Sequence, residues 1–206
     1  MPAQGFNSTT GLYLTQKRPD GRTRIYADVL GGGYGAAPGY DGAHTLAGIL
    51  SSSRNTPVEA IEQVHPQLRM RHYRLVPDSC GAGQWRGGLG FSRAIEILED
   101  GVELSFYSDH FRLPPRGRQG GGDAATGSLL VRRGSELIRL PNTDVVTLRK
   151  GDVVELSVGG GAGWGDPALR DPASVLDDLA DGFVSAAFAR RHYVAALASA
   201  TAATAA

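Results

Sequence analysis

Leu30-Gly31-Gly32-Gly33-Tyr34-Gly35-Ala36-Ala37-Pro38-Gly39-Tyr40-Asp41-Gly42-Ala43-His44-Thr45 is followed, after a short apolar run, by Ser51-Ser52-Ser53-Arg54-Asn55-Thr56-Pro57-Val58-Glu59. The stretch reads as a glycine-rich loop, a histidine directly behind it, and the opening of a helix. Glycines at 31, 32, 33, 35, 39 and 42 admit positive φ and let backbone approach another surface closely. Thr56 is a favoured N-cap, Pro57 suits the first helical position, and Glu59 completes a capping box with Thr56. A helix N-terminus flanked by Arg54, Asn55 and Thr56 has the makings of an anion site. The same residues also describe an ordinary loop leading into a capped helix.

Upstream, Leu12 and Leu14, then Ile25, Ala27 and Val29, alternate on either side of Arg18-Pro19-Asp20-Gly21. Period-two alternation about strong turn chemistry predicts a β-hairpin over 11–30. Downstream, Val58, Ile61 and Val64 give one short helix over 57–64, ended by His65-Pro66. Residues 67–76 read as a strand, and 91–98 with 102–108 as a hairpin about Glu99-Asp100-Gly101. A second hairpin is expected over 128–140, and two more apolar runs bracket the turn Arg149-Lys150-Gly151-Asp152. Further glycine tracts fall at 81–90, 120–122 and 159–165, and read as turns between strands or corners of a closed sheet. Residues 109–126 form a long loop of the kind that usually carries function or covers a partner.

After residue 165 the character changes. Asp171 caps a helix with Pro172 at its first position and Gly182 after its end, and Ser185 caps a second helix over about 186–198. The Ala/Ser/Thr tail, 199–206, is expected to fray. The sum is an α+β protein: a β-rich, glycine-loop-rich region over 1–165, a C-terminal helical pair over 166–198, and a disordered tail.

Composition narrows the function. Acidic and basic residues balance at 21 each among 206 residues, which removes the electrostatic case for nucleic acid or an acidic membrane. The 29 glycines are about twice the usual share of roughly 7%. Cys80 is the single cysteine. That leaves no intrachain disulfide, no cysteine-based zinc site, and a fit to a reducing compartment. A small residue filling a turn is the better reading of it than a nucleophile. No apolar run approaches the length of a membrane span, and Met1-Pro2-Ala3-Gln4 does not open a signal peptide, so a cytoplasmic protein is expected.

The five histidines, His44, His65, His72, His110 and His192, show no paired metal-ligand spacing. His44 is the best candidate because it follows a glycine loop. Asp109-His110 sits at a strand end, where side chains often reach a site. Neither a P-loop nor a Rossmann Gly-x-Gly-x-x-Gly between strand and helix occurs, so a nucleotide site built by this chain alone is not expected.

The motifs in series resemble the hydantoinase B/oxoprolinase family. They are Gly39-x-Asp41-Gly42-x-His44; Arg54-Asn55-Thr56-Pro57-Val58-Glu59; and Tyr73-x-Leu75-x-Pro77-Asp78-Ser79-x-Gly81-Ala82-Gly83-x-Trp85-Arg86-Gly87-Gly88-Leu89-Gly90. Next come Asp109 with Pro114-Pro115-x-Gly117 and Gly120-Gly121-Gly122, then Leu148-x-x-Gly151-Asp152-Val153 and Gly159-Gly160-Gly161-x-Gly163-Trp164-Gly165-Asp166-Pro167. Arg170-Asp171-Pro172 and Gly182-x-Val184-Ser185 close the series. Single glycine runs are weak signals; the ordered series is specific.

The resemblance covers only the C-terminal part of a B-type subunit. It implies a split subunit, a truncated product or an excised fragment, lacking the His/Asp-rich segments that carry metal and active site in the family. It also implies partners: the N-terminal part of the B-type subunit, and a hydantoinase A-type subunit that binds ATP and Mg. The A-type subunit phosphorylates the substrate carbonyl, and the B-type subunit acts on the activated intermediate. A divalent metal is implied on the missing N-terminal part, and no cofactor on this chain by itself. The activity implied is ATP-dependent hydrolysis of a cyclic amide of the hydantoin or 5-oxoproline kind. Alternatives are a related ketone carboxylase subunit and a non-catalytic assembly module. Within that frame His44 is the expected catalytic residue, and Gly31, Gly32, Gly33, Arg54, Asn55, Thr56 and Asp109 are expected to line the substrate. Apolar surface is expected where the absent part would pack.

Overall fold

The computed structural model describes residues 1–6, 10–46 and 56–204, with side chains through residue 199. Strands β1 (Thr10–Lys17) and β2 (Thr23–Leu30) form the first hairpin, in register from Thr10↔Leu30 to Lys17↔Thr23. Gly21, at φ +80°, closes its turn as the Pro-Asp-Gly signal predicts. Helix α1 (Val58–Val64) leads to β3 (Leu68–Leu75), followed by β4 (Phe91–Ile97), β5 (Val102–Tyr107), β6 (Ser128–Arg133), β7 (Glu136–Leu140), β8 (Thr143–Leu148) and β9 (Val153–Val158).

These strands make two antiparallel sheets, ordered β2-β1-β5-β8 and β3-β4-β9-β6-β7. Leu12, Leu14, Leu104, Phe106 and Leu148 of the first face Phe91, Ile95, Leu129, Leu156 and Val158 of the second in one buried core. The architecture is a sandwich whose inner faces come from alternate residues of each strand. One connection departs from the sequence expectation. The turn at Glu99-Asp100-Gly101 does not make a hairpin: β4 pairs with β3 and β9, while β5 pairs with β1 and β8. The turn carries the chain from one sheet to the other, held by Gln16 Nε2 donating to Asp100 O and Lys150 N–H to Asp100 Oδ1. The turn at residues 149–152 switches sheets in the same way.

Apart from the positive-φ turns at Gly39 and Gly120, the glycine tracts are neither turns nor corners. They leave the strand ends that meet at Thr10↔Leu30, Leu75↔Phe91, Phe91↔Val158 and Ser128↔Ser157. They then run as segments bonded sideways to one another. Four successive residues of the last tract show the pattern. Gly161 N–H donates to Gly88 O (2.8 Å), Ala162 to Gln4 O (2.8 Å), Gly163 to Gly122 O (2.9 Å) and Trp164 to Trp85 O (2.9 Å). Three successive residues turn to three different segments, and the fourth returns to the segment of the first, residues 85–88. That is the habit of polyproline II-type chains, which have three residues per turn and no internal bonds, and not of a β-ladder. At most tract positions glycine is required by crowding, and at Gly39, Gly120 and Gly165 by positive φ. A Cβ on Gly87 would run into the carbonyl of Gly161, and one on Gly161 into the carbonyl of Tyr34.

The C-terminal region packs against this bundle. Helix α2 (Pro172–Ala180) is capped by Asp171, whose side chain accepts from Ala173 N–H, with Pro172 at its first position, as expected. The second expected helix is two: α3 (Ala186–His192), capped by Ser185, and α4 (Val194–Thr204). The chain breaks where Tyr193 turns inward; it is fully buried, and its hydroxyl accepts from Gly83 N–H (3.3 Å). Helix α4 extends to Thr204, well into the segment where fraying is expected, in keeping with the high helix propensity of alanine.

The outer face of the β2-β1-β5-β8 sheet is nearly free of charge. Ile25, Val29, Tyr107 and Val145 are exposed on it beside Tyr13, Thr15 and Ser105, and Glu103 and Lys17 are its charges among the described residues. Tyr107 lies over Gly11, where a Cβ would strike its ring, and stacks on Tyr13 at 6.4 Å between centroids.

Candidate functional site

Ala37 and Tyr40 exchange two backbone hydrogen bonds about Pro38-Gly39, with Gly39 at φ +89°. Proline then a positive-φ glycine is type II turn chemistry. The turn reverses the chain and brings Asp41 and His44 back against the glycine segment that carries Arg86. From the other end of the chain, a 3-10 turn at Pro167–Leu169 delivers Arg170, and the Asp171 cap starts α2 so that Asp178 faces the same point.

The four charged side chains form one network. Arg86 Nε donates to Asp178 Oδ1 (2.7 Å), and its Nη1 to Gly87 O (3.1 Å). Arg170 grips Asp41 with both terminal nitrogens (2.9 and 2.8 Å) and reaches Asp178 Oδ2 with Nη2 (2.7 Å). Arg86 N–H donates to Asp41 Oδ1 (2.7 Å). Arg86, Arg170 and Asp178 are each no more than 5% exposed. Two cations and two anions compensate: Arg86, Arg170 and Asp178 are buried and need the pairing, and Asp41 completes it from the exposed side.

His44 stands at the rim, half-buried. Its Nδ1 accepts from Leu89 N–H (2.9 Å), its ring packs edge-on to Phe183 at 4.5 Å, and Nε2 lies 3.5 Å from Arg86 Nη2. Burial, then the Arg86 charge, depresses its pKa, so the neutral ring dominates at neutral pH. Burial works to raise the Asp41 carboxyl; the hydrogen bonds and charge of Arg170, with those of Arg86, outweigh it and hold the group low. Burial pushes the Cys80 thiol up to about 12, which makes it an inert packing residue, as its place among small residues suggests.

The other expected site residues lie elsewhere. Gly32 N–H donates to Leu46 O and Gly33 N–H to Gly159 O, so neither amide is left for a ligand. Gly31 is half-buried just beyond β2. Arg54 and Asn55 fall outside the described residues. Thr56 is exposed and does not cap α1: Pro57 occupies the cap position without a side-chain bond, and the helix has seven residues. Asp109 is exposed at the end of β5, and His110, at φ +54°, donates from Nδ1 to Leu113 O (2.7 Å).

Asp41, Arg86, Arg170 and Asp178 escape sequence reasoning. The signal available was a lone charge set among glycines in two tracts, and an arginine directly before a helix cap. Among the described residues, no three His, Cys, Asp or Glu side chains converge to hold a metal ion, and no helix is long and apolar enough to cross a membrane.

Comparison with known proteins places the chain in a family. The family model of hydantoinase B/oxoprolinase matches residues 1–167. The B subunit of a D-/L-hydantoinase of Pseudomonas sp. (strain NS671) is 35% identical over 164 residues, covering 78% of this chain and 27% of that protein. The beta subunit of the caprolactamase of Pseudomonas jessenii is 32% identical over 180 residues, covering 83% of this chain and 30% of the relative. A crystal structure of the ATP-dependent caprolactamase from Pseudomonas jessenii shares the fold with a TM-score of 0.79 at 24% identity, over 93% of this chain and 35% of that one. The chain thus spans about three tenths of the length of the two sequence relatives, and with the family model running through both sheets and all the glycine segments, it belongs to the hydantoinase B/oxoprolinase family.

Proposed function

We propose that this chain is part of the B-type subunit of an ATP-dependent hydrolase that opens a cyclic amide. The supporting observation is His44, held neutral at the rim of a buried, charge-compensated network. With Nδ1 accepting from Leu89 N–H, the neutral ring presents Nε2–H, a donor that can stabilise charge developing on the substrate. An amide is a poor electrophile; phosphorylating its oxygen turns that oxygen into a leaving group, and what remains is to deliver water and stabilise charge. In this reading an A-type partner binds ATP and Mg and performs the phosphorylation. The remainder of the B-type subunit supplies the rest of the site, including any divalent metal. The present chain contributes the wall carrying His44, and the assembly works in the cytoplasm.

The test is reconstitution with an A-type subunit and the remainder of a B-type subunit, following ATP-dependent opening of hydantoin, 5-oxoproline and caprolactam. His44→Ala is expected to fold normally and to lower kcat by about 100-fold, the order expected when one donor to developing charge is removed. Unchanged turnover would make His44 structural. Failure of the full assembly to open any ring would remove the reading, and bicarbonate consumption with a ketone would move it to the carboxylase branch.

The sparsely charged outer sheet face is, in the same reading, where the remainder of the B-type subunit packs. The double variant Ile25→Lys/Val145→Lys is expected to make the isolated chain more soluble and to abolish co-purification with that remainder. Retained co-purification would place the contact elsewhere.

A further inference from the structure

The hydrogen-bonding roles at His44 leave two donors facing each other. Leu89 N–H points at Nδ1, so Nδ1 carries a lone pair and the proton of the neutral ring sits on Nε2. Nε2 then cannot accept from Arg86 Nη2, 3.5 Å away, and the guanidinium cannot accept at all. The other nitrogens of Arg86 are committed, Nε to Asp178 and Nη1 to Gly87 O. A guanidinium that is 5% exposed therefore presents an arm with no acceptor among the described residues, next to a ring N–H in the same position. Phe183 walls both groups, 4.5 Å from the His44 ring and 5.3 Å from the Arg86 guanidinium carbon.

We infer that Arg86 Nη2 and His44 Nε2–H form a two-pronged seat for one oxygen of an oxyanion, either phosphoryl or carboxylate. The local charge fits such a guest. Asp178 and Asp41 already neutralise Arg86 and Arg170, so the seat offers directed N–H groups rather than a bare cation. A bound anion accepts from Nε2–H while Leu89 N–H keeps Nδ1 as an acceptor, so the ring takes part as a neutral donor. The inference deepens the proposed function by naming what the His44 wall holds; it rests on that reading only for the guest's identity in the enzyme.

The test uses the 206-residue chain, labelled with nitrogen-15, and inorganic phosphate or acetate as probe. The free protein is expected to show an unprotonated Nδ1 and a protonated Nε2 at His44. Either probe should shift the Nε2 and Arg86 side-chain signals saturably. Losing one charged hydrogen bond, worth about 1.5–3 kcal/mol, corresponds to roughly tenfold weaker binding or more. His44→Phe and Arg86→Lys should each show that loss, and His44→Phe suffices if the lysine variant does not fold. Tighter phosphate identifies a phosphoryl guest, and tighter acetate a carboxylate. A proton on Nδ1, no saturable response to either anion, or equal binding by His44→Phe would overturn the seat. None of these results depends on turnover, so loss of the seat and loss of the hydrolase reading are separate outcomes.

Discussion

Replacing Gly161 by alanine is expected to cost the domain about 4 kcal/mol, much of the roughly 5–15 kcal/mol that holds a native domain together. The new Cβ would enter the carbonyl of Tyr34 and crowd Gly35 N. Both are backbone atoms inside the bundle. Neither can rotate away, and the Gly161 N–H bond to Gly88 O must shift with them. Gly122→Ala is the control within the same bundle. Its Cβ would meet Ala82 N at 3.4 Å, an ordinary contact, and should cost less than about 1 kcal/mol. Urea midpoints of the two variants separate the accounts. If both fall equally, glycine content matters rather than close approach; if neither falls, the bundle relaxes as no packed interior should.

Asp178→Ala should be the most damaging single change at the charged network, at about 3–5 kcal/mol. It strips the acceptor from Arg86 Nε and Arg170 Nη2 together, and leaves two guanidinium groups in the interior with one carboxylate between them. Asp178 also links α2 to the bundle, beside the packing of Val175 with Ala82, so early proteolysis in the 170–200 region should accompany the loss. Arg18→Ala, which removes a surface pair at 3.5 Å to Asp20 with both partners well exposed, should change stability by less than about 1 kcal/mol. Equal urea midpoints for Asp178→Ala and Arg18→Ala would show that the network does not hold the helices in place.

Local features were legible in the sequence. The β1/β2 and β6/β7 hairpins follow from alternation about a turn, and both partners of each lie close together in the chain. Glu99-Asp100-Gly101 carries equally good turn chemistry, yet its strands part to opposite sheets. Partner choice there is made by the core, through Ile95 and Ile97 on one side and Val102 and Leu104 on the other, and no local pattern encodes it. The glycine tracts are plain in the sequence, but their conformation is not, because periodicity is a property of side chains and glycine has none. His44 stands out through its place after a glycine loop. Its partners do not, since Asp41, Arg86, Arg170 and Asp178 meet only once three distant parts of the chain have folded.

The glycine bundle has a consequence for the order in which the molecule folds. Its bonds join remote residues: Ala162 to Gln4, Ala36 to Ala162, Gly161 to Gly88. Polyproline II-type segments have no internal bonds with which to nucleate, and glycine surrenders the most backbone freedom on being fixed. No pair of segments is therefore worth forming before the rest. The hairpins can begin early, on local contacts; the bundle must wait until both sheets have set the ends of its strands in place, and then close in one step. Such non-local topologies reach the native state slowly, on the order of milliseconds to seconds. The network around His44, which spans the bundle and α2, is completed by that last closure.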